Sequence, residues 1–463
     1  MKTKQHKLLS WIIIAAIILF FPTSIIAQEM SKDTIVPKID SGDTAWMIVA
    51  SALVMLMTMP GLALFYGGLV RRKNILNVMM QCFILMALLT IEWIAIGYSL
   101  AFGSSYGILK PFIGNFDLAF LRGISVHDLS PYYISKSQPT ADGGQVGTIP
   151  HIIFVLFQCK FAVITPALII GAFAERISFK GFILFSLIWA IIVYNPVAHW
   201  VWSADGWLYK LGALDFAGGT VVHVNAGIAA LVTAILIGKR KDYRNVAIPP
   251  HNIPFVVIGA SLLWFGWFGF NAGSGLAADG LAANAFLVTH TAAAAAAATW
   301  GILEWILHGR PSTIGIATGA VAGLVAITPA AGFVGTFGSL LIGFGVSVIC
   351  YYFVGVVKPY FGYDDSLDAF GVHGIGGLWG AIATGIFVTP TVQGAYSGLI
   401  TGNPKQVLIQ LAAVGATIIY SAIMTFIIFK IIDKTIGIRV SPKEEALGLD
   451  YSMHKEEAYS YID

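Results

Sequence analysis

Residues 215–231, DFAGGTVVHVNAGIAAL, and residues 364–387, DDSLDAFGVHGIGGLWGAIATGIF, are two versions of one pattern. In each, an aspartate (Asp215, Asp365) stands eight residues before a histidine (His223, His373), a valine (Val222, Val372) precedes the histidine, and a glycine (Gly227, Gly377) follows four residues on. Each histidine falls within a long apolar run. Of 463 residues, 57% are hydrophobic and 11% charged. An ordinary soluble domain is about a quarter charged, so this chain is largely solvated by lipid. Its 50 glycines suit a bilayer, where close helix approach substitutes for the hydrophobic drive of water.

Windows long enough to cross a bilayer as helices run over 44–70, 74–103, 149–173, 181–202, 217–238, 252–275, 281–308, 312–331, 333–357, 368–389 and 406–429. That predicts an all-α integral membrane protein of eleven transmembrane helices. Ahead of them, residues 1–27 have a Lys-bearing start, an apolar stretch and small residues before Gln28, the pattern of a secretory signal cleaved after Ala27; an uncleaved anchor is the other reading. With the mature N-terminus outside, sixteen Lys and Arg fall on the inner side and seven on the outer, as the positive-inside rule requires. The membrane domain is then 28–431, with a polar extracellular loop over about 104–148, and 432–463 is a cytoplasmic tail.

His223 lies on the fifth window and His373 on the tenth, so the chain reads as five helices repeated, plus one. Five is odd, so the halves are inverted in the membrane, the architecture that sets a transport pathway at the repeat interface. A lone histidine on an apolar helix more often satisfies a helix–helix hydrogen bond than serves a pathway. Two at repeat-equivalent positions meet on one axis, and ionisable groups at such depth face a cavity. A net charge of +3 gives no case for nucleic acid. Cys82, Cys159 and Cys350 fall in three different apolar runs, which suggests neither a metal site nor a disulfide framework. No nucleophile or ligand set accompanies the histidines, so an enzyme is not expected.

The two repeated stretches, together with ITPALIIGAFAERISF (164–179), WFGWFGFNAGS (264–274) and the tail KEEALGLDYSMHKEEAY (443–459), resemble signatures of the ammonium transporter (Amt) family, bacterial type. The likeness covers nearly the whole mature chain. It implies an Amt/Rh-type fold in the inner cell membrane, and a homotrimer in which each protomer has its own narrow pore for ammonium nitrogen, with no cofactor. Residue by residue, the family's external recruitment site falls on Trp202, Phe157 and Ser274, the gate on Phe161 and Phe270, and the pore on His223 and His373. Phe157 and Phe161 are four apart and share a helix face, and aromatic faces attract a partly desolvated cation. Trp202 stands thirteen positions before Asp215, one more than the family spacing, and Trp200 competes for its role. Asp215, essential by family precedent, suits capping of the pore helix, as do Asp365 and Asp368 for the tenth span.

Ammonium and potassium are alike in size and charge, and deprotonation is what separates them. Beyond the gate an apolar wall penalises an ion far more than neutral ammonia, while the histidines offer ammonia hydrogen bonds. Two other readings use the same histidines: a Rhesus-type ammonia or carbon dioxide channel, expected to lack the Trp cage, and an ammonium sensor, expected to carry an appended domain that the tail to Asp463 is too short to form. In the tail, Gly448, Leu449, Asp450, His454, Glu456 and Tyr459 match the family pattern for a PII-type regulator, while Lys455 stands where the family has glycine. Bracing of neighbouring subunits is the tail's other reading.

One residue departs from every apolar pattern: Lys160, on the third span next to Phe161. Lys160 and Glu92 each lie about eleven residues from the outer ends of neighbouring spans, roughly 16 Å deep at about 1.5 Å per residue. The sequence therefore predicts a buried Glu92–Lys160 ion pair behind the pore wall.

Overall fold

The computed structural model describes residues 37–140 and 142–459; the predicted signal, 1–27, lies outside them. In lipid a backbone must satisfy its own polar groups, and the apolar windows accordingly form helices: α1 Ser41–Leu69, α2 Arg72–Phe102, α3 His151–Phe173, α4 Phe179–Leu211, α5 Gly219–Ile237, α6 Ile253–Gly273, α7 Gly280–His308, α8 Thr313–Ile327, α9 Thr336–Phe361, α10 Phe370–Phe387 and α11 Lys405–Ile436. Ten of these are long and apolar enough to cross a membrane; α8, with 15 residues, is a shorter apolar helix. The predicted window 312–331 overruns it because Pro329 has no N–H to continue a helix. The chain turns there and packs on α5, where a Cβ on Gly219 would stand 2.4 Å from Pro329 Cγ.

Polar residues set the helix starts by accepting free N–H groups: Asp40 takes Asp43 N at 2.8 Å, Asn252 takes Phe255 N at 3.0 Å, and Asp279 takes Leu281 N and Ala282 N at 3.0 Å. Glycines set the spacing between helices. Along α6, Cβ atoms on Gly259, Gly266 and Gly273 would fall 2.2 Å from Phe65 N, 2.3 Å from Met57 Cγ and 2.8 Å from Ala50 Cβ, so this face lies directly on α1.

The repeated glycines have a reciprocal role. A Cβ on Gly227 would stand 2.2 Å from Gly374 Cα, and one on Gly377 2.9 Å from His223 Cβ. Each glycine thus lets its helix rest on the histidine-bearing turn of the other, the relation a twofold axis demands.

In the loop from 104 to 148, β1 (Gln138–Pro139) and β2 (Gln145–Val146) form a small antiparallel hairpin. The loop is tied down at Asp43 in α1, whose carboxylate accepts from Thr148 Oγ1 at 2.6 Å and pairs with Lys136 at 3.0 Å. Ala278 N, just before α7, donates to the same carboxylate at 2.8 Å.

At the opposite end, Arg71 and Arg240 pair with Glu175 at 2.8 and 3.3 Å, and Arg240 with Asp364 at 2.9 Å. Burial pushes the Glu175 carboxyl up, but Arg240 and Arg71 outweigh it and hold the group below its ordinary range. Burial opposes and Arg240 likewise overcomes it at Asp364. The tail folds back onto this end: Glu445 pairs with Arg439 at 2.8 Å from the short helix α12 (Pro442–Leu447), Leu449 N donates to Asn74 Oδ1, and Asp450 Oδ1 accepts Asn77 N, both at 2.8 Å.

Candidate functional site

Both histidines sit in wide π turns that open their helices, Gly219–Val224 in α5 and Phe370–Gly374 in α10, a local geometry frequent at functional sites. Asp215 fixes the first of them. Its Oδ1 accepts Gly218 N and Gly219 N at 2.9 and 2.6 Å, and its Oδ2 accepts Thr220 N and Val221 N at 2.9 and 3.0 Å. Asp365 is the counterpart with two donors, Ala369 N at 3.1 Å and Phe370 N at 2.8 Å. The side chain of Asp368, predicted to cap as well, instead pairs with Lys358 at 2.6 Å, because Asp365 already holds the free N–H groups.

His223 and His373 are 1% and 4% exposed, with ring centroids 5.3 Å apart and planes at 13°. Among the described residues, His223 Nδ1, His223 Nε2 and His373 Nδ1 are buried without a hydrogen-bond partner. They line a narrow cavity of about 10 Å³ whose other walls include Ile164, Leu168, Val222, Leu263, Trp267 and Phe270. A buried void of about 10–15 Å³ holds one water-sized molecule. An apolar lumen with unpartnered imidazole nitrogens can give a small neutral hydride hydrogen bonds, and it offers an ion little in place of a hydration shell.

Above the histidines, Phe161 from α3 and Phe270 from α6 close together with ring centroids 4.3 Å apart. Phe161 also lines a vestibule of about 500 Å³ beside the 104–148 loop that holds Trp202, Ser274 and Asp215. Trp202 meets Phe161 edge-on at 5.6 Å and donates Nε1–H to Asp215 O at 2.9 Å; Ser274 Oγ donates to Phe270 O at 2.9 Å. Trp200 packs elsewhere, against Trp207 and Tyr420. On the other side of the histidines, His373 also lines a second vestibule of about 200 Å³ with Tyr66, Asp368 and Val372.

Two predicted positions differ. Phe157, assigned by resemblance to the outer site, is fully buried behind Phe161, at 5.0 Å between ring centroids, and does not line the vestibule. The missing side chain of Gly273 makes the space it fills, since a Cβ there would be 2.8 Å from the Phe157 ring. The Glu92–Lys160 ion pair is also not formed. Glu92 is buried and accepts from Asn195 Nδ2 of α4 at 2.9 Å. Lys160 instead lines a recess of about 470 Å³ with Met55, Phe83, Met86, Thr90 and Ile91. Equal depth was not enough: Glu92 lies two residues past Thr90, about 200° around the helix.

Sequence reasoning missed Trp267, which stacks on His223 at 5.4 Å and donates Nε1–H to Thr328 Oγ1 at 2.8 Å. Its signal was present, since Trp267 is three residues before Phe270 and shares its helix face. It also missed Gln158, which lines the vestibule beside the 104–148 loop with Oε1 buried and unpartnered among the described residues.

Comparison with known proteins follows the same lines. The pattern of the Ammonium Transporter Family matches residues 45–459. An ammonium transporter of Aquifex aeolicus (strain VF5) is 51% identical over 424 residues, covering 91% of this chain and 94% of its own. The crystal structure of Candida albicans Mep2 aligns with a TM-score of 0.79 at 35% identity over 88% of each chain. The Sensor Amt Protein structure aligns with a TM-score of 0.80 at 29% identity, covering 89% of this chain and 98% of that one. The chain belongs to the ammonium transporter family.

Proposed function

We propose that this ammonium transporter recruits ammonium in the outer vestibule, strips its proton at the phenylalanine gate and conducts ammonia past His223 and His373 to the inner vestibule. The observation that carries the reading is an unbroken file of rings. Trp202, Phe161, Phe270, His223 and His373 follow one another at centroid distances of 5.6, 4.3, 6.1 and 5.3 Å. Trp202 and Phe161 offer ring faces to a cation and Ser274 adds a polar group. The closed Phe161–Phe270 pair refuses a hydrated ion. Inside the lumen, free imidazole nitrogens compensate ammonia for the water it has left, and potassium, which has no proton to shed, meets an uncompensated desolvation penalty. Net transfer of the released proton along the histidine pair would make transport electrogenic.

The same reading takes α8, together with the turn that follows it, as the eleventh span, with a mature N-terminus outside, a cytoplasmic tail and residence in the inner cell membrane. It also takes the protein as a homotrimer. The tail, resting on Asn74 and Asn77 at the inner end of α2, is the surface proposed for a PII-type regulator. The likeness to a Sensor Amt Protein favours one other reading, a receptor that binds ammonium without conducting it. A single experiment separates them: ammonium-evoked current and methylammonium uptake by the purified protein in liposomes, with and without a potassium gradient. Conduction of ammonium with exclusion of potassium is expected. Binding without flux would favour the sensor, and equal potassium current would refute the mechanism.

A further inference from the structure

In the loop that follows α2, three consecutive carbonyls are all taken by the end of α4: Lys110 O by His199 Nε2 at 2.8 Å, Pro111 O by Trp207 N at 3.2 Å and Phe112 O by Trp200 Nε1 at 2.8 Å. His199 is fully buried, and its other ring nitrogen, Nδ1, stands 2.9 Å from Ala101 O in the last turn of α2. The one imidazole therefore bridges three pieces of chain: the end of α2, the loop and the end of α4.

Both partners of the ring are backbone carbonyls, which accept hydrogen bonds and cannot donate one. A neutral imidazole has one N–H and one lone pair, so it satisfies one of these contacts and sets its lone pair against the other carbonyl oxygen at 2.8 or 2.9 Å. Only the imidazolium donates at both nitrogens, and the arrangement in the structure is the one that form makes. The charged groups that face His199 are Lys110 from the loop and Asp205 and Lys210 from the end of α4, while α2 presents the Ala101 carbonyl. Asp205 supplies the opposing charge; it pairs with Lys110 at 3.2 Å and Lys210 at 3.7 Å and accepts from Ser104 Oγ at 2.7 Å.

His199 is three residues from Trp202 and shares its helix face. The helical turn breaks just after Trp202, where Ser203 is extended, so that turn is held from outside, by the His199 bridge and by Trp202 Nε1–H on Asp215 O. We infer that His199 is a positioning residue whose protonated imidazole fixes the end of α4 that carries Trp202, so that ammonium is held more tightly when the ring bears both protons than when it bears one. The inference rests on Trp202 as the recruitment residue. Loss of one proton removes one donor, frees α4 from either α2 or the loop, and strands a buried carbonyl.

The test is methylammonium uptake by the purified protein in liposomes at equal pH inside and out, from about pH 5.5 to about pH 8, the range in which imidazole titrates. The melting temperature is followed over the same range. Wild-type KM should rise several-fold towards the alkaline end with little change in the maximal rate, because the lumen is untouched. The melting temperature should fall, since stability held by an imidazolium is present at low pH and lost as the proton leaves. His199→Asn offers a donor near the position of Nδ1 and His199→Gln one near that of Nε2, so each keeps one uncharged bond. Both should show the alkaline KM at every pH and lack the melting step. A wild-type KM indifferent to pH, or a pH dependence that persists in both variants, would overturn the inference. If wild type takes up no methylammonium at any pH, the conduction reading fails, and the melting step decides the bridge: abolished in both variants it stands, retained in both it falls.

Discussion

Replacing Asp215 with Asn changes one atom's chemistry and should have a large effect. Four backbone N–H groups donate to the Asp215 carboxylate at 2.6–3.0 Å, two to each oxygen. An asparagine amide keeps one oxygen, so two of the four lose their acceptor and meet an NH₂ donor. The residue is 7% exposed, which leaves little water to compensate. A buried group deprived of its partner costs about 1–3 kcal/mol, so Asp215→Asn should cost about 2–6 kcal/mol. The middle of that range is more than a hundredfold in the unfolding equilibrium, at about 1.4 kcal/mol per tenfold. Asp365 supplies an internal control, because its carboxylate holds two N–H groups, one on each oxygen. Asp365→Asn therefore strands one and should cost about half as much. The assay is unfolding in mixed micelles at increasing SDS fraction, followed for wild type and both variants, with ammonium-evoked current in liposomes measured alongside. Since Val222 N and His223 N both bond to Gly218 O at 2.9 and 3.0 Å within the turn that Asp215 holds, Asp215→Asn should also reduce current. The reasoning is refuted if Asp215→Asn unfolds at the wild-type SDS fraction, or if Asp365→Asn costs as much.

His223→Ala and His373→Ala should each abolish selective ammonium current while the protein still folds; full current and full potassium exclusion in both would contradict the proposed lumen. Glu175 and Asp364 are held below their ordinary values of 4.5 and 3.8 in the folded protein, so the stability they contribute is present above those values and is lost as pH falls through the folded ones. The melting temperature should therefore fall below about pH 4.5, and Glu175→Gln should lower it at pH 7 while flattening the acid limb; an unchanged limb would show that other groups set it. Glu92 and Lys160 do not touch, so the effects of Glu92→Leu and Lys160→Met on melting should add. A coupling energy well above about 0.5 kcal/mol would restore the ion pair.

The membrane character, the helix windows and the histidine pair were legible because each depends on composition or on a repeat, which survive local irregularity. The end of α8 was overrun because hydropathy does not register a turn whose residues are, apart from Thr328, apolar, although Pro329 carried the signal. Trp267 escaped notice for a related reason. In WFGWFGF five of seven positions are aromatic, and only the three-residue step to Phe270 distinguishes the ring that faces His223 from those that face outward.

Depth and direction differ in how a membrane helix encodes them. Depth follows from counting residues, and Glu92 and Lys160 were matched on that basis. Direction follows from a polar stripe on a soluble helix, but on α2 that stripe is sparse, Asn74, Asn77, Gln81 and Glu92 on one buried face, and α3 has none to orient Lys160. Wide turns compound the loss: α2 contains one at Trp93–Gly97 and α4 another at Ala190–Tyr194, and each extra residue rotates everything beyond it by about 100°. The histidines escape this difficulty through the repeat. Both helices open on a wide turn with a cap eight residues ahead of the histidine, so whatever rotation that geometry imposes on one ring it imposes on the other. A twofold relation then brings the two together without either direction being known, and the rings do lie 5.3 Å apart with planes at 13°. A repeated spacing therefore carries information about direction that a single helix of this composition cannot.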